Sequence, residues 1–238
     1  METNTILNDL VRICPPLRRE IRSFSFARDE QIAAAGSPIT STIFPDAGLL
    51  VRAVHFADGS RIATSMVGYE RGFGVAGALS TNIHLTDCFA VISGTGFSVP
   101  VKPLRELAER CPELRARLAK HEHVVAAQAQ QWAACATKHS AQHRLVTFLD
   151  RIVAQSGARE FAITQERMAE LLGFRRPTLS LIAHQLRRDG LIDYHRGRIV
   201  VTNERHFQAA GCPCCAALRA QDGLLSTPQK STPSPPLN

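Results

Sequence analysis

Apolar positions along this chain follow two periods, and the switches between them mark its organisation. Between residues 8 and 34, Leu10, Val11, Ile13, Leu17 and Ile21 recur at helical spacing, interrupted by Pro15-Pro16. From residue 36 to residue 100 the pattern shortens into β-branched runs cut by Gly, Pro, Asp-Ala-Gly and Asp-Gly. There "ADGS" between "VRAVHF" and "RIATSMV" predicts a hairpin, because Asp-Gly tolerates the positive φ of a tight turn. Strand-length runs at this spacing predict an antiparallel sandwich or barrel. From Pro103 to about Ser156 the helical period returns. Leu114, Leu118, Val125, Ala129, Trp132 and Ala136 recur at steps near 3.5, and few glycines or prolines fall between Glu113 and Gln155. One long helix followed by another is predicted. The stripe contains His121 and Gln128, so the pattern leaves open whether it faces its own domain or a twin copy.

The stretch "MAELLGFRRPTLSLIAHQL", Met168 to Leu186, breaks a good helix and restarts it at once. Thr164 is placed to cap the first helix, which buries Met168, Ala169, Leu171 and Leu172. Gly173 supplies the left-handed residue that ends it, and Phe174 plugs the corner. Pro177 suits the first turn of a second helix, whose buried face is Leu179, Ile182, Ala183 and Leu186. Two short helices joined by a glycine turn make a helix-turn-helix, which enters the major groove of DNA by the N-terminal end of its second helix. Arg175, Arg176, Thr178 and Ser180 then face bases and phosphates, an arginine fork matching guanine O6 and N7. Downstream, "GLIDYHRGRIVV" predicts a β-hairpin wing with a basic tip. Residues 163–203 carry seven arginines against four carboxylates.

Bulk composition is consistent with this. The chain has 238 residues, 45% of them hydrophobic, with 28 Lys+Arg against 21 Asp+Glu and a net charge of +7. That charge suits an anionic partner and equally a merely basic soluble protein. Seven cysteines, odd in number and irregularly spaced, argue against a disulfide framework. No secretory signal and no window of 18 uninterrupted apolar residues is present, so the expectation is a cytoplasmic protein that does not associate with membrane. No Gly-x-Ser-x-Gly elbow, phosphate-cradling loop or His-Glu-x-x-His appears, and no enzyme is expected.

The order of parts resembles the Crp–Fnr family of bacterial transcription regulators, most closely in "ITQERMAELLGFRRPTLSLIAHQLRRDGLIDYHRGRIVVTN" and more weakly in "GSPITSTIFPDAG" and "HFADGSRIATSMVGYERGFGV". The resemblance implies an α+β chain with four parts. These are an antiparallel β-roll or jelly roll (1–110), a dimerisation helix (111–138), a winged helix-turn-helix (139–210) and a Cys-containing, Ser/Pro-rich disordered tail (211–238). Its partners would be double-stranded DNA, a second copy, an unknown small-molecule effector and, for an activator, RNA polymerase. The implied DNA contacts are Gln165, Arg175, Arg176, Thr178, Ser180, His184, Arg196 and Arg198; the implied dimer contacts are Leu118, Val125, Ala129, Trp132 and Ala136.

Departures from the family pattern narrow this. Ala76 falls where cyclic-AMP-binding members carry glutamate, and Thr86-Asp87 where they carry Arg-Ser. An aspartate there repels a cyclic phosphate, with no arginine to compensate, so the effector is expected to be something other than cyclic AMP. Cys14 alone stands near the start, which excludes the family's N-terminal iron–sulfur pattern, and no cofactor is expected. Pro177 and Leu181 replace a Glu and an Arg of the best-known recognition helices, so the familiar operator does not transfer. "GCPCC" sets Cys212, Cys214 and Cys215 within four residues. These are either surface thiols at the head of a loose tail or a thiol or metal switch lacking a second ligand pair unless His206 joins. His139 and His143 are read as an exposed helical pair. Two further readings stay open: a thiol- or metal-responsive regulator, and a constitutive DNA binder with a vestigial sensor.

Overall fold

In the computed structural model, which describes residues 4–80, 82–195 and 197–226, the consecutive Leu49, Leu50 and Val51 are all fully buried. A strand allows this only when both of its faces are covered, since neighbouring side chains point to opposite sides. The chain opens with α1 (Thr5–Ile13) and a 3₁₀ turn at Pro15–Glu20. The strands β1 (Arg22–Phe26), β2 (Gln31–Ala33), β3 (Ser41–Pro45), β4 (Leu49–His55), β5 (Arg61–Val67), β6 (Asp87–Ile92) and β7 (Gly94–Pro100) follow. They form two antiparallel sheets, in the orders β1-β7-β3 and β2-β6-β4-β5. Leu50, Val67, Cys88 and Ala90 meet Phe26 and Ile43 between the sheets. The helical expectation for residues 8–34 holds only to the double proline. After it, "RSFSF" alternates at period two and pairs with β7 as a strand.

The helices are α2 (Val101–Arg110), α3 (Pro112–Lys138) and α4 (Ala141–Ser156). Then come β8 (Glu160–Ala162), α5 (Gln165–Leu172), α6 (Arg176–Arg188), β9 (Ile192–His195) and β10 (Arg198–Val201), and α7 (Glu204–Ala209) and α8 (Pro213–Ser226) end the described chain. The outer face of the four-stranded sheet (Leu49, Val51, Met66, Phe89) shares one core with Phe148 and Ile152 of α4 and with Met168 and Leu171 of α5. Phe44 and Val99 of the other sheet pack on Leu7, Leu10, Leu104, Leu114 and Leu118. The long helix thus crosses the β-roll, packing near Phe44 and Val99 at one end and along β5 further on, and the helix-turn-helix covers the outer face of the four-stranded sheet.

Two expectations are corrected here. Leu118 is fully buried and Val125 nearly so within their own chain, and Trp132 lies edge-on to Phe148 with ring centroids 6.3 Å apart. The predicted stripe on α3 is therefore largely an intrachain face, with Ala129 half-buried and Ala136 exposed at its end. And residues 213–226 are helix rather than loose tail. Pro213 opens α8, and Cys214, Cys215, Leu218, Asp222 and Leu225 face inward against α3 and α4. Residues 227–238, the rest of the expected disordered tail, lie outside the described residues.

Candidate nucleic-acid interface

The helix-turn-helix forms as the local chemistry requires. Thr164 caps α5 by accepting the Arg167 amide at 3.1 Å. Gly173 takes φ 66° and ends the helix, with the Phe174 amide bonded back to the Ala169 carbonyl at 2.8 Å. Arg144 of α4 lies 4.5 Å over the Phe174 ring and donates to the Leu172 carbonyl at 2.5 Å. The corner between the helices is thereby held from outside as well as from within. Leu179, Ala183 and Leu186 bury one face of α6.

The opposite face is what DNA would meet. Arg175, Arg176, Thr178 and His184 are exposed, and so is Leu181, at 70%. Ser180 is committed elsewhere: its hydroxyl donates to Gln165 Oε1 at 2.6 Å, tying α6 to the start of α5. The wing is a three-stranded sheet in the order β8-β10-β9. Arg198, at the start of its central strand, pairs with Glu160 at 2.6 Å, both half-exposed, a surface pair worth about 1 kcal/mol at most. Arg196, also expected at the wing, lies outside the described residues.

On α3 the exposed positions Ala116, Ala119, His123, Ala126, Gln130, Ala133 and Thr137 repeat at alternating steps of three and four. This is a heptad seam of small and polar side chains, on the side of the helix away from Leu118. Sequence reading missed it because it follows the large apolar residues, whereas the seam is mostly alanine.

A cavity of about 280 Å³ lies between the β-roll and α3, lined by Arg52, Thr64, Ser65, Phe73, Ala76, His84, Thr86, Glu122, Val125 and others. Ala76 and Thr86 stand in it as the alignment by spacing expects. Asp87 does not: it turns away to accept the Ala35 amide at 2.8 Å. Nor is an arginine lacking, since Arg52 of β4 lines the wall, 5.3 Å over Phe73 and 3.9 Å from Glu122. His84 stacks on Phe73 at 4.7 Å; burial and the nearby Arg52 charge lower its pKa. Fully buried His121 accepts the Gly72 amide at Nε2, which leaves Nδ1–H for the Glu122 carboxylate at 3.0 Å. Burial alone would raise the Glu122 pKa, but that hydrogen bond and Arg52 hold it below the ordinary value.

The C-terminal cysteines are buried, not surface thiols. Cys212 and Cys214 meet Cys135 and His139 at the end of α3, with all four ligand-type atoms within 4.8 Å of one another. Cys215 turns instead to Thr147, 3.2 Å away. His206 and His143 stay outside the group. The sequence reading named only the C-terminal cysteines and His206; the Cys135-x-x-x-His139 spacing, one helical turn, is the signal that would have found the second pair.

The architecture is a winged helix-turn-helix joined to a β-roll by a long helix. Residues 143–210 match the Crp-like helix-turn-helix domain. Among solved structures, FixK2 from Bradyrhizobium japonicum is 19% identical with a TM-score of 0.70, covering 81% of this chain and 98% of its own. The c-di-GMP-responsive global regulator CLP of Xanthomonas campestris is 13% identical, TM-score 0.64, covering 84% and 98%. A CRP/FNR-family transcriptional regulator from Thermus thermophilus is 18% identical, TM-score 0.64, covering 79% and 97%. A search of curated protein sequences returned no match. Residues 143–210 thus carry a Crp-like helix-turn-helix domain, and the chain shares the fold of these Crp/Fnr-family structures. No helix among the described residues is long and apolar enough to cross a membrane.

Proposed function

We propose that this chain works in the cytoplasm as a homodimer that binds a roughly palindromic operator and answers to a small effector other than cyclic AMP. The observation that carries the reading is α6, whose solvent face offers Arg175, Arg176, Thr178, Leu181 and His184 while its other face is buried. Two such helices, related by the α3 seam, would enter successive major grooves about 34 Å apart. Arg176 would read a guanine, and Leu181, where the family's second arginine is missing, would lie against a thymine methyl. Arg175 and Arg198 would hold phosphates, while Ser180 and Gln165 would act through each other to set the pose of α6.

The cavity supports an effector site. Its arginine lies 3.9 Å from Glu122, so a cyclic phosphate would meet a carboxylate beside the cation it needs. Selection of DNA from a randomised duplex pool, with and without cyclic AMP, tests the reading. Recovery of the same palindrome in both arms is expected; recovery only with the nucleotide would overturn the effector assignment, and no enrichment in either arm would overturn the operator assignment. With the site in hand, Arg176→Ala is expected to cost about 1–3 kcal/mol and to relax preference at one base pair per half-site. Arg198→Ala is expected instead to weaken all sequences alike and to flatten the salt dependence, as read by fluorescence anisotropy at several salt concentrations.

A further inference from the structure

We propose that Cys135, His139, Cys212 and Cys214 bind one zinc-class divalent ion, closing a tetrahedral Cys3His site that clamps the end of α3 to the start of α8. A zinc ion with Zn–S near 2.3 Å and Zn–N near 2.0–2.1 Å sets its ligand atoms on tetrahedron edges of about 3.8 Å for S···S and about 3.6 Å for S···N. The Cys135 and Cys212 sulfurs are 3.6 Å apart, and Cys214 Sγ is 3.5 Å from His139 Nδ1. All four atoms fit within 4.8 Å. That is the span of a single ion; a multi-iron cluster would spread its thiolates farther.

The surroundings are those of a built site. Cys135, Cys212 and Cys214 are each 4% exposed, and half-buried His139 stands at the edge as the way in. Two ligands come from the end of α3, Cys135 in its last turn and His139 at its C-cap, and two from the Cys-Pro-Cys step into α8, whose Pro213 fixes that turn. Gln131 donates to Cys214 Sγ at 3.1 Å, and the Thr147 hydroxyl lies 3.3 Å from Cys212 Sγ. Such outer partners orient thiolate ligands and satisfy their remaining lone pairs.

His139 is also the C-cap residue that ends α3, next to Ser140, which caps α4 by accepting the His143 amide at 3.3 Å. The site therefore sits on the two-residue joint between the long helix and the DNA-binding unit. An ion there would hold α6 at one angle to the α3 seam.

The test is metal content and cobalt spectroscopy on the full-length reduced protein, read without DNA, so that its failure is distinct from failure of the operator reading. One zinc per chain is expected, and Co2+ in its place should give thiolate-to-cobalt charge transfer with the intense visible bands of tetrahedral geometry. Cys212→Ser and His139→Ala should lower zinc affinity by at least about 100-fold, and Gln131→Ala by about 10–100-fold. Cys215→Ser and His143→Ala should leave it unchanged. His139→Ala, at the exposed edge, keeps the test valid if a buried cysteine variant fails to fold. Stoichiometry well below one, an octahedral cobalt spectrum, a Cys135–Cys212 disulfide in place of metal, or equal losses from Cys215→Ser would overturn the proposal.

Discussion

Replacing Asp222 with alanine is expected to lower the unfolding free energy by about 3–5 kcal/mol, the cost of leaving buried charges without their partner. Asp222 ties α8 to the segment after β5, to α3 and to α4. It accepts from Arg71, which follows β5, from Arg151 of α4 and, at 3.0 Å, from Gln128 of α3. Arg71 and Arg151 are 1% and 3% exposed, so neither can turn to water when the carboxylate is removed. Burial already depresses Arg71 to about 10, against the pull of Asp222. Without that carboxylate two guanidinium groups would face each other across a dry gap. Urea denaturation at fixed protein concentration measures the loss, and a change below about 1 kcal/mol would show that α8 is not held by this network.

The same network makes stability depend on pH with a definite sign. Burial alone would raise the Asp222 pKa; the hydrogen bond from Arg151 and the charges of Arg151 and Arg71 outweigh it and hold the carboxyl below its ordinary value. Its folded pKa is therefore lower than its unfolded value near 3.9. The contribution is fully present above about pH 4–5 and is lost as pH falls through that range toward the folded value. Asp222→Asn should remove this acid dependence while keeping the shape, and its denaturation midpoint should vary less with pH than that of the parent chain.

Ala133→Glu is expected to convert the dimer to monomer and to lower operator affinity by about 100-fold or more. Ala133 lies toward the C-terminal end of the exposed heptad seam of α3. Across a two-fold axis the substituted carboxylates would approach each other where only methyl-sized groups fit. A monomer reads one half-site, forfeiting the factor of about 10²–10⁴ that linked binding confers. Sedimentation velocity and operator titration check both halves of the expectation. Ala136→Glu, on the stripe that continues from Trp132, is the discriminating control: if it breaks the dimer and Ala133→Glu does not, the seam is on the other face.

The helix-turn-helix was legible in the sequence because its determinants are local. Thr164, Gly173, Phe174 and Pro177 act on residues within five positions of themselves, and the apolar spacing of Met168–Leu186 names the buried faces without knowledge of what covers them. The hairpin at Asp58-Gly59 is of the same kind, with Gly59 at φ 85°. The long helix was legible for its period, but not for its orientation. Leu118 and Trp132 would look the same in sequence whether they faced a twin or their own β-roll, since apolar spacing carries no information on the identity of the covering surface.

Short-range sterics and periodicity, both written in the order of residues, thus settle the elements, their succession and the presence of a helix-turn-helix. Tertiary packing settles which face of α3 is left for a partner, that Arg52 and Glu122 share one cavity wall, and that residues 213–226 fold back as a helix. It alone brings Cys135 and His139 to Cys212 and Cys214, about 75 residues on. Those contacts depend on where the chain returns to itself, and their energies, burial of charge and closure of a ligand set, exist only after it has done so.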